Sequence, residues 1–275
     1  MKNREKIVIV TWDFTEVSEA ALLHAERYTK AAGSRVHVVH ICGKKDNEQV
    51  LKEKIEKEIA GINLSGSTPI DVVVKKGSIY SSINKYTEEV KAELVIMGTH
   101  GIIGSQKLFG SKALKVIVGS KVPFLTVQQK PVREFKEMVL PFDSDMEGRE
   151  KLRWVMYFAN KYNLTIRILK KISSIKDVQK TINNNVAFAK RILDEYDIPY
   201  KVDIETNTKE FHDEVVNFAE KNRCGLIMVM TTKNIDWTSY LFGAEEQKII
   251  ANKAKIPVIC VNPREDLHKP VYFNS

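Results

Sequence analysis

The chain repeats itself, and that duplication steers its 275 residues toward two like units, each long enough to bury a core of its own. Leu108-Phe109-Gly110-Ser111-Lys112, followed by Val122-Pro123-Phe124-Leu125-Thr126-Val127, aligns with Leu241-Phe242-Gly243-Ala244-Glu245, followed by Ile256-Pro257-Val258-Ile259-Cys260-Val261. The starts align as well, Ile7-Val8-Ile9-Val10-Thr11-Trp12-Asp13 against Glu137-Met138-Val139-Leu140-Pro141-Phe142-Asp143. The offset is 130 at the aspartates, 133 at Gly110 and Gly243 and 134 at the prolines. Short loop insertions and deletions produce a drift of that size. Pro131 sits between two apolar runs in Lys130-Pro131-Val132-Arg133 and sets the expected boundary, giving units 1–131 and 132–275.

Within each unit short apolar runs alternate with longer amphipathic stretches. In the first, strands are expected at Lys6–Val10, Val36–Cys42, Ile70–Lys75, Leu94–Gly98 and Phe124–Val127. Helices are expected near Glu16–Ala32, Asn47–Ile62, Tyr80–Val90 and Ser111–Val118. Ala20, Ala21, Ala25 and Tyr28 mark the buried face of the first helix, and Gly33 suits its C-terminal stop. The second unit follows the same order. Its strands are Met138–Phe142, Thr165–Leu169, Lys201–Glu205, Leu226–Thr231 and Val258–Val261; its helices are Arg149–Tyr162, Asp177–Tyr196, Phe211–Glu220 and Glu246–Ala254. Such alternation predicts the α/β class: two tandem, doubly wound, five-stranded parallel sheets of the Rossmann-like kind. Ligands of such sheets sit beyond the carboxyl ends of the strands, where the strand order reverses.

Composition narrows the function classes. The formal charge of +8 raises nucleic acid, but Lys and Arg alternate with Glu and Asp, as in Lys52-Glu53-Lys54-Ile55-Glu56-Lys57-Glu58. That pattern reads as a solvated helix face with i,i+4 pairs, so no nucleic-acid partner is expected. No apolar run approaches a membrane span or a secretory core, which predicts no membrane association and a cytoplasmic protein. Cys42, Cys224 and Cys260 are odd in number and far apart, so neither a disulfide framework nor a zinc site is expected.

One segment carries the chemistry of anion binding. The strand Leu94-Val95-Ile96-Met97 runs into Gly98-Thr99-His100-Gly101-Ile102-Ile103-Gly104 and reaches Gly110-Ser111 at the start of a helix. Glycines let backbone N–H groups turn toward a phosphate without a Cβ in the way. The helix beginning at Ser111 adds unpaired donors and a favourable dipole, and Ser111 can cap that helix or donate to a phosphate oxygen. The loop is neither a P-loop nor a GxGxxG turn, since Lys112 follows Ser111 and five residues part Gly104 from Gly110. On spacing alone a glycine-rich turn serving only geometry is an equal alternative.

The strand, the Gly-x-x-Gly turn, the later Gly-Ser at a helix start and the closing Val-Pro strand together resemble the universal stress protein family. Asp13 in Trp12-Asp13-Phe14-Thr15 matches the family's first-strand aspartate, and Val74-Lys75-Lys76-Gly77-Ser78 resembles its third strand and turn. The resemblance covers essentially the whole chain and implies an adenine nucleotide alpha hydrolase-like fold. It implies ATP or AMP, with Mg²⁺ as a companion, bound in the first unit as a signal for a protein partner, with little or no turnover. Asp13 would accept a hydrogen bond from the nucleotide beside Thr11, the backbone at Ile41 would meet adenine, and Met97, Gly98, His100, Gly101, Gly110 and Ser111 would surround ribose and phosphates. The resemblance also implies that the units pair about a pseudo-twofold through Phe124–Val127 and Val258–Val261, with a further homodimer left open. Two departures stand out. Ile102–Phe109 is one residue shorter than in the family's nucleotide-binding members, and Thr11 occupies the place of a proline. A same-fold interaction module that binds no nucleotide is the alternative reading.

The second unit lacks the loop. Met230-Thr231-Thr232-Lys233-Asn234-Ile235-Asp236-Trp237 has no early glycine, and Ala244 replaces the serine after Gly243. A degenerate, empty second site is expected, with Asp143 as either a site remnant or a turn cap. His37 and His40, three apart on a strand, should point to opposite faces and not form a metal pair. Trp12, Trp154 and Trp237 read as core or interface aromatics. No catalytic triad has defensible spacing, so no catalytic residue is expected.

Overall fold

A computed structural model describes residues 5–66, 68–99, 111–131, 133–144, 148–204, 210–231 and 244–262. Apolar runs with β-branched residues form the first strands, β1 (Ile7–Thr11), β2 (Arg35–Cys42), β3 (Ile70–Lys76), β4 (Leu94–Gly98) and β5 (Phe124–Val127). Between them run α1 (Glu16–Ala32), α2 (Glu48–Ala60), α3 (Ile79–Val90) and α4 (Ser111–Val118). The second half repeats the order with β6 (Glu137–Phe142), α5 (Gly148–Tyr162), β7 (Thr165–Lys170), α6 (Lys176–Glu195), β8 (Tyr200–Ile204), α7 (Phe211–Lys221), β9 (Leu226–Met230), α8 (Ala244–Ile250) and β10 (Val258–Val261).

Local chemistry fixes several ends. Gly33 takes a left-handed φ of 62° and returns its N–H to the Thr29 carbonyl, closing α1. Asn47 caps α2 by accepting from the N–H groups of Gln49 and Val50. On the surface of α2 Lys52 and Glu56 stand 3.8 Å apart, an i,i+4 pair of the kind expected there.

The ten strands form one sheet in the order β3-β2-β1-β4-β5-β10-β9-β6-β7-β8. Neighbours within each half are parallel. The halves meet at β5 and β10, which run antiparallel with Leu125 opposite Ile259. The expected pairing through the last strands is present, and it merges two five-stranded sheets into one. Strand alternation sends Val8 and Val10 to one face and Ile9 to the other. On the first face α1, α2, α5 and α6 cover a core running from Ile55 to Leu193; on the second α3, α4, α7 and α8 cover a core running from Ile83 to Val215. Each core crosses the junction between the halves.

Polar ties bind that junction reciprocally. Gln128, the residue after β5, donates its side-chain amide to the carbonyls of Ile250 (3.2 Å) and Asn252 (3.1 Å) at the end of α8. Asn262, the residue after β10, donates to the carbonyls of Ile117 (2.6 Å) and Ser120 (2.8 Å) at the end of α4. Each half thus closes the last helix of the other. On the first face the Lys161 ammonium reaches Glu93 (2.9 Å), Tyr157 Oη (3.0 Å) and Tyr28 Oη (3.2 Å), an ion pair almost closed off from solvent. Burial lowers the Lys161 pKa, with Glu93 pulling the other way.

His37 and His40 do face opposite ways: Tyr86 Oη lies 2.8 Å from His37 Nδ1 on the α3 side, whereas His40 Nδ1 donates to the Trp12 carbonyl at 2.8 Å. The three cysteines are free and buried. Desolvation pushes the Cys224 thiol up to about 12, consistent with inert packing rather than redox chemistry.

Candidate functional site

In the first half the chain winds outward from β1 through β2 to β3, then returns to place β4 on the opposite flank of β1. The carboxyl ends of β1 and β4 therefore border the crevice where a doubly wound sheet takes its ligand. Val10 pairs with Ile96, so the strands run out together into Thr11-Trp12-Asp13 and Met97-Gly98-Thr99.

Thr11 ends β1 half-buried, and Asp13 stands exposed two residues on. The Asp13 carboxylate is partly engaged: Oδ1 accepts from the Thr15 N–H (3.2 Å), the Thr15 hydroxyl and the Ser18 hydroxyl. The Asp13 N–H in turn donates to Ser18 Oγ at 2.9 Å. Asp13 thus ties down the turn into α1, which Phe14 makes possible with a positive φ of 63°. The cap weighed for Asp143 is what Asp13 forms, and Oδ2 takes no bond among the described residues. Ile41 lies half-buried near the carboxyl end of β2, and Met97 is buried.

Gly98 has a packing duty that its place in the sequence did not show. A Cβ there would lie 2.3 Å from the Val17 carbonyl oxygen and 2.9 Å from the Val17 Cβ, so only glycine admits the first turn of α1 against β4. Thr99 then closes the strand end, donating its N–H to the Val127 carbonyl at 2.8 Å. Ser111 begins α4. His100, Gly101 and Gly110 lie outside the described residues. The structure thus brings Thr11, Asp13, Met97 and Gly98 to the neighbouring carboxyl ends of β1 and β4, with Ile41 on the strand beside them.

Two further groups belong to this strand end. Trp12, buried in the core, has no partner for its indole N–H among the described residues. Phe14 meets the edge of His40 at 4.9 Å and carries the Lys54 ammonium 4.3 Å above its ring. Trp12 is the core aromatic expected of it, whereas nothing in the sequence marked Phe14.

In the second half Thr231 holds the place of Thr99 and makes the same bond, its N–H to the Val261 carbonyl at 2.9 Å. Residues 232–243 lie outside the described residues, so the fate of that loop does too. Among the described residues no group of three or more His, Cys, Asp or Glu could hold a metal, and no helix is long and apolar enough to cross a membrane.

Comparison with known proteins shows what this half resembles. Residues 5–128 match the sequence model of the universal stress protein family, which spans β1 through β5. The first repeat is similar to that family along its whole course. A universal stress protein from Archaeoglobus fulgidus is similar over nearly the full length, with a TM-score of 0.75 at 17% identity, covering 93% of this chain and 98% of that one. A functionally unknown protein from Pseudomonas aeruginosa gives a TM-score of 0.66 at 12% identity, covering 94% of this chain and 93% of that one. These likenesses extend the fold across both halves. No curated protein matches the chain.

Proposed function

We propose that the first half is a universal stress protein domain and binds an adenine nucleotide, ATP or AMP, in the crevice between the carboxyl ends of β1 and β4. The nucleotide acts there as a stress-response signal in the cytoplasm that a protein partner reads, with little or no turnover. The observation that carries this reading is the exposed Asp13 at the reversal of strand order, with Oδ1 held by its own turn and Oδ2 taking no bond among the described residues. A carboxylate so fixed suits a donor of the base or ribose, and the half-buried Thr11 and Ile41 offer flanking surface. Gly101, Gly110 and the N-terminus at Ser111 supply unobstructed donors for phosphate in the proposal. Mg²⁺ would then be held through the phosphates rather than by a protein ligand set. No Walker lysine is present to drive hydrolysis.

Equilibrium binding of labelled ATP to the wild type and to Gly110→Val tests the reading. Saturable binding that the substitution weakens by about tenfold or more supports it, a loss of roughly 1.4 kcal/mol. Equal affinity, or none in either protein, removes it. A same-fold interaction module without nucleotide is the second reading, favoured by the capping bonds of Asp13, which give that residue a role with no ligand. Native mass spectrometry separates the two: a co-purifying adenine nucleotide supports the first.

A further inference from the structure

Six large hydrophobic side chains stand exposed among the described residues, and five of them lie on β8 or beside α6: Val202 and Ile204 on the strand, Ile172 and Ile175 before the helix and Tyr196 after it. β8 is an edge of the sheet, paired with β7 alone among the described strands. An open edge presents a row of backbone donors and acceptors, which proteins commonly cover or blunt.

The opposite edge is treated differently. There α2 lies on β3, and Ile70, Val72 and Val74 pack half-buried against the core. In the second half α6 lies chiefly over β6 and β7 instead. Val202 is left 40% exposed and Ile204 55% exposed, whereas the counterpart positions on β3 pack under α2.

The sequence of β8 complements itself. Tyr200, Val202 and Ile204 share one face, with Tyr200 against the α5–α6 core; Lys201 and Asp203 share the other. Set antiparallel to a second copy about Val202, Tyr200 falls opposite the partner's Ile204, Val202 opposite the partner's Val202, and Lys201 opposite the partner's Asp203. Both charge pairs are of opposite sign. Asp203 already grips Arg167 (2.9 and 3.0 Å), and Lys201 stands 3.8 Å from Glu137. The partner's Lys201 would thus extend an existing ion network instead of facing bare carboxylate. Antiparallel pairing of end strands is also how this molecule joins its own halves at β5 and β10.

We propose that β8 is the contact strand of a twofold homodimer in which two ten-stranded sheets join edge to edge. The pairing axis stands perpendicular to the sheet, so α6 and its mate lie side by side on one face. Ile172, Ile175 and Tyr196 widen the contact beyond the strand pair, which alone falls short of the about 1,000 Å² a stable interface needs. This inference does not depend on the nucleotide reading.

Sedimentation equilibrium of the full chain over a concentration series tests it, with circular dichroism melts to confirm folding. The wild type should approach twice the chain mass of 31.4 kDa. Val202→Glu should return it to one chain mass. Lys201→Asp, which sets like charges across both symmetry-related pairs, should weaken association by about tenfold or more. Lys201→Asp combined with Asp203→Lys should restore it. A wild type that stays at one chain mass overturns the proposal, and so does a dimer that Val202→Glu leaves intact. If the doubly charged variant does not fold because Arg167 has lost its partner, Val202→Glu and Lys201→Asp still decide.

Discussion

His24 on α1 shows how one buried ring can make stability depend on pH. Its Nε2 donates to the Gln129 carbonyl at 3.1 Å, which leaves Nδ1 an acceptor, buried and without a partner among the described residues. Desolvation holds its pKa down at about 4, from an ordinary 6.5; the Gln129 bond pulls upward, and Arg27 adds to the depression. The unfolded chain therefore binds the extra proton between those two values, and stability rises with pH across that window. The contribution is complete above about pH 6.5 and is lost as the pH falls to about 4, amounting to roughly 3 kcal/mol. Urea unfolding of the wild type and of His24→Gln at pH 7, 5.5 and 4 should show the difference between them shrinking as the pH falls. His37, also lowered chiefly by burial, tilts the wild type the same way, so the difference between the two proteins isolates His24. Nothing in the sequence around His24 marked it. Its burial depends on Gln129, 105 residues away, and on the stacked ring of Phe135.

Elements were more legible than contacts, because helix and strand periods are local and contacts are not. Glu16–Ala32, Leu94–Gly98, Ser111–Val118, Phe124–Val127 and Val258–Val261 fall where apolar spacing and a stop at Gly33 put them. The helix expected to reach Ala254 instead ends at Ile250. Asn252 is buried there: its amide donates to the Ile249 and Ile256 carbonyls, and its carbonyl accepts from the Ile256 N–H. A side chain that satisfies backbone groups in this way competes with the helix, and periodicity does not register it. Gly98 is the same lesson at the candidate site, since its glycine-rich context suggested a ligand while the α1–β4 contact accounts for it. Gly98→Ala should cost about 1–3 kcal/mol through overpacking against Val17, read as a lowered urea midpoint. A midpoint within error of wild type would mean that α1 can shift off β4 at no cost.

At the scale of the molecule the duplicated sequence foretold two like units, and the family resemblance implied their pairing through the last strands. It did not foretell that both hydrophobic layers continue across the pairing or that the polar ties there are reciprocal. Gln128 and Asn262 occupy equivalent places and each closes the final helix of the other half. Calorimetry should accordingly give one cooperative transition for the whole chain. Gln128→Ala leaves two carbonyls at the end of α8 without that donor and should lower the midpoint, with a cost of about 1–3 kcal/mol. Two separated transitions would show that the halves hold themselves up independently.

Crossed closure has a cost during synthesis. Leu125 and its mate Ile259 are 134 residues apart, so at about 5–20 residues per second the first half waits on the order of ten seconds for its other side. Throughout that interval the β5 edge and the terminal carbonyls of α4 are bare on every nascent chain. Neighbouring chains on one message could supply the missing strand to each other, and the product of that encounter is a strand-swapped dimer.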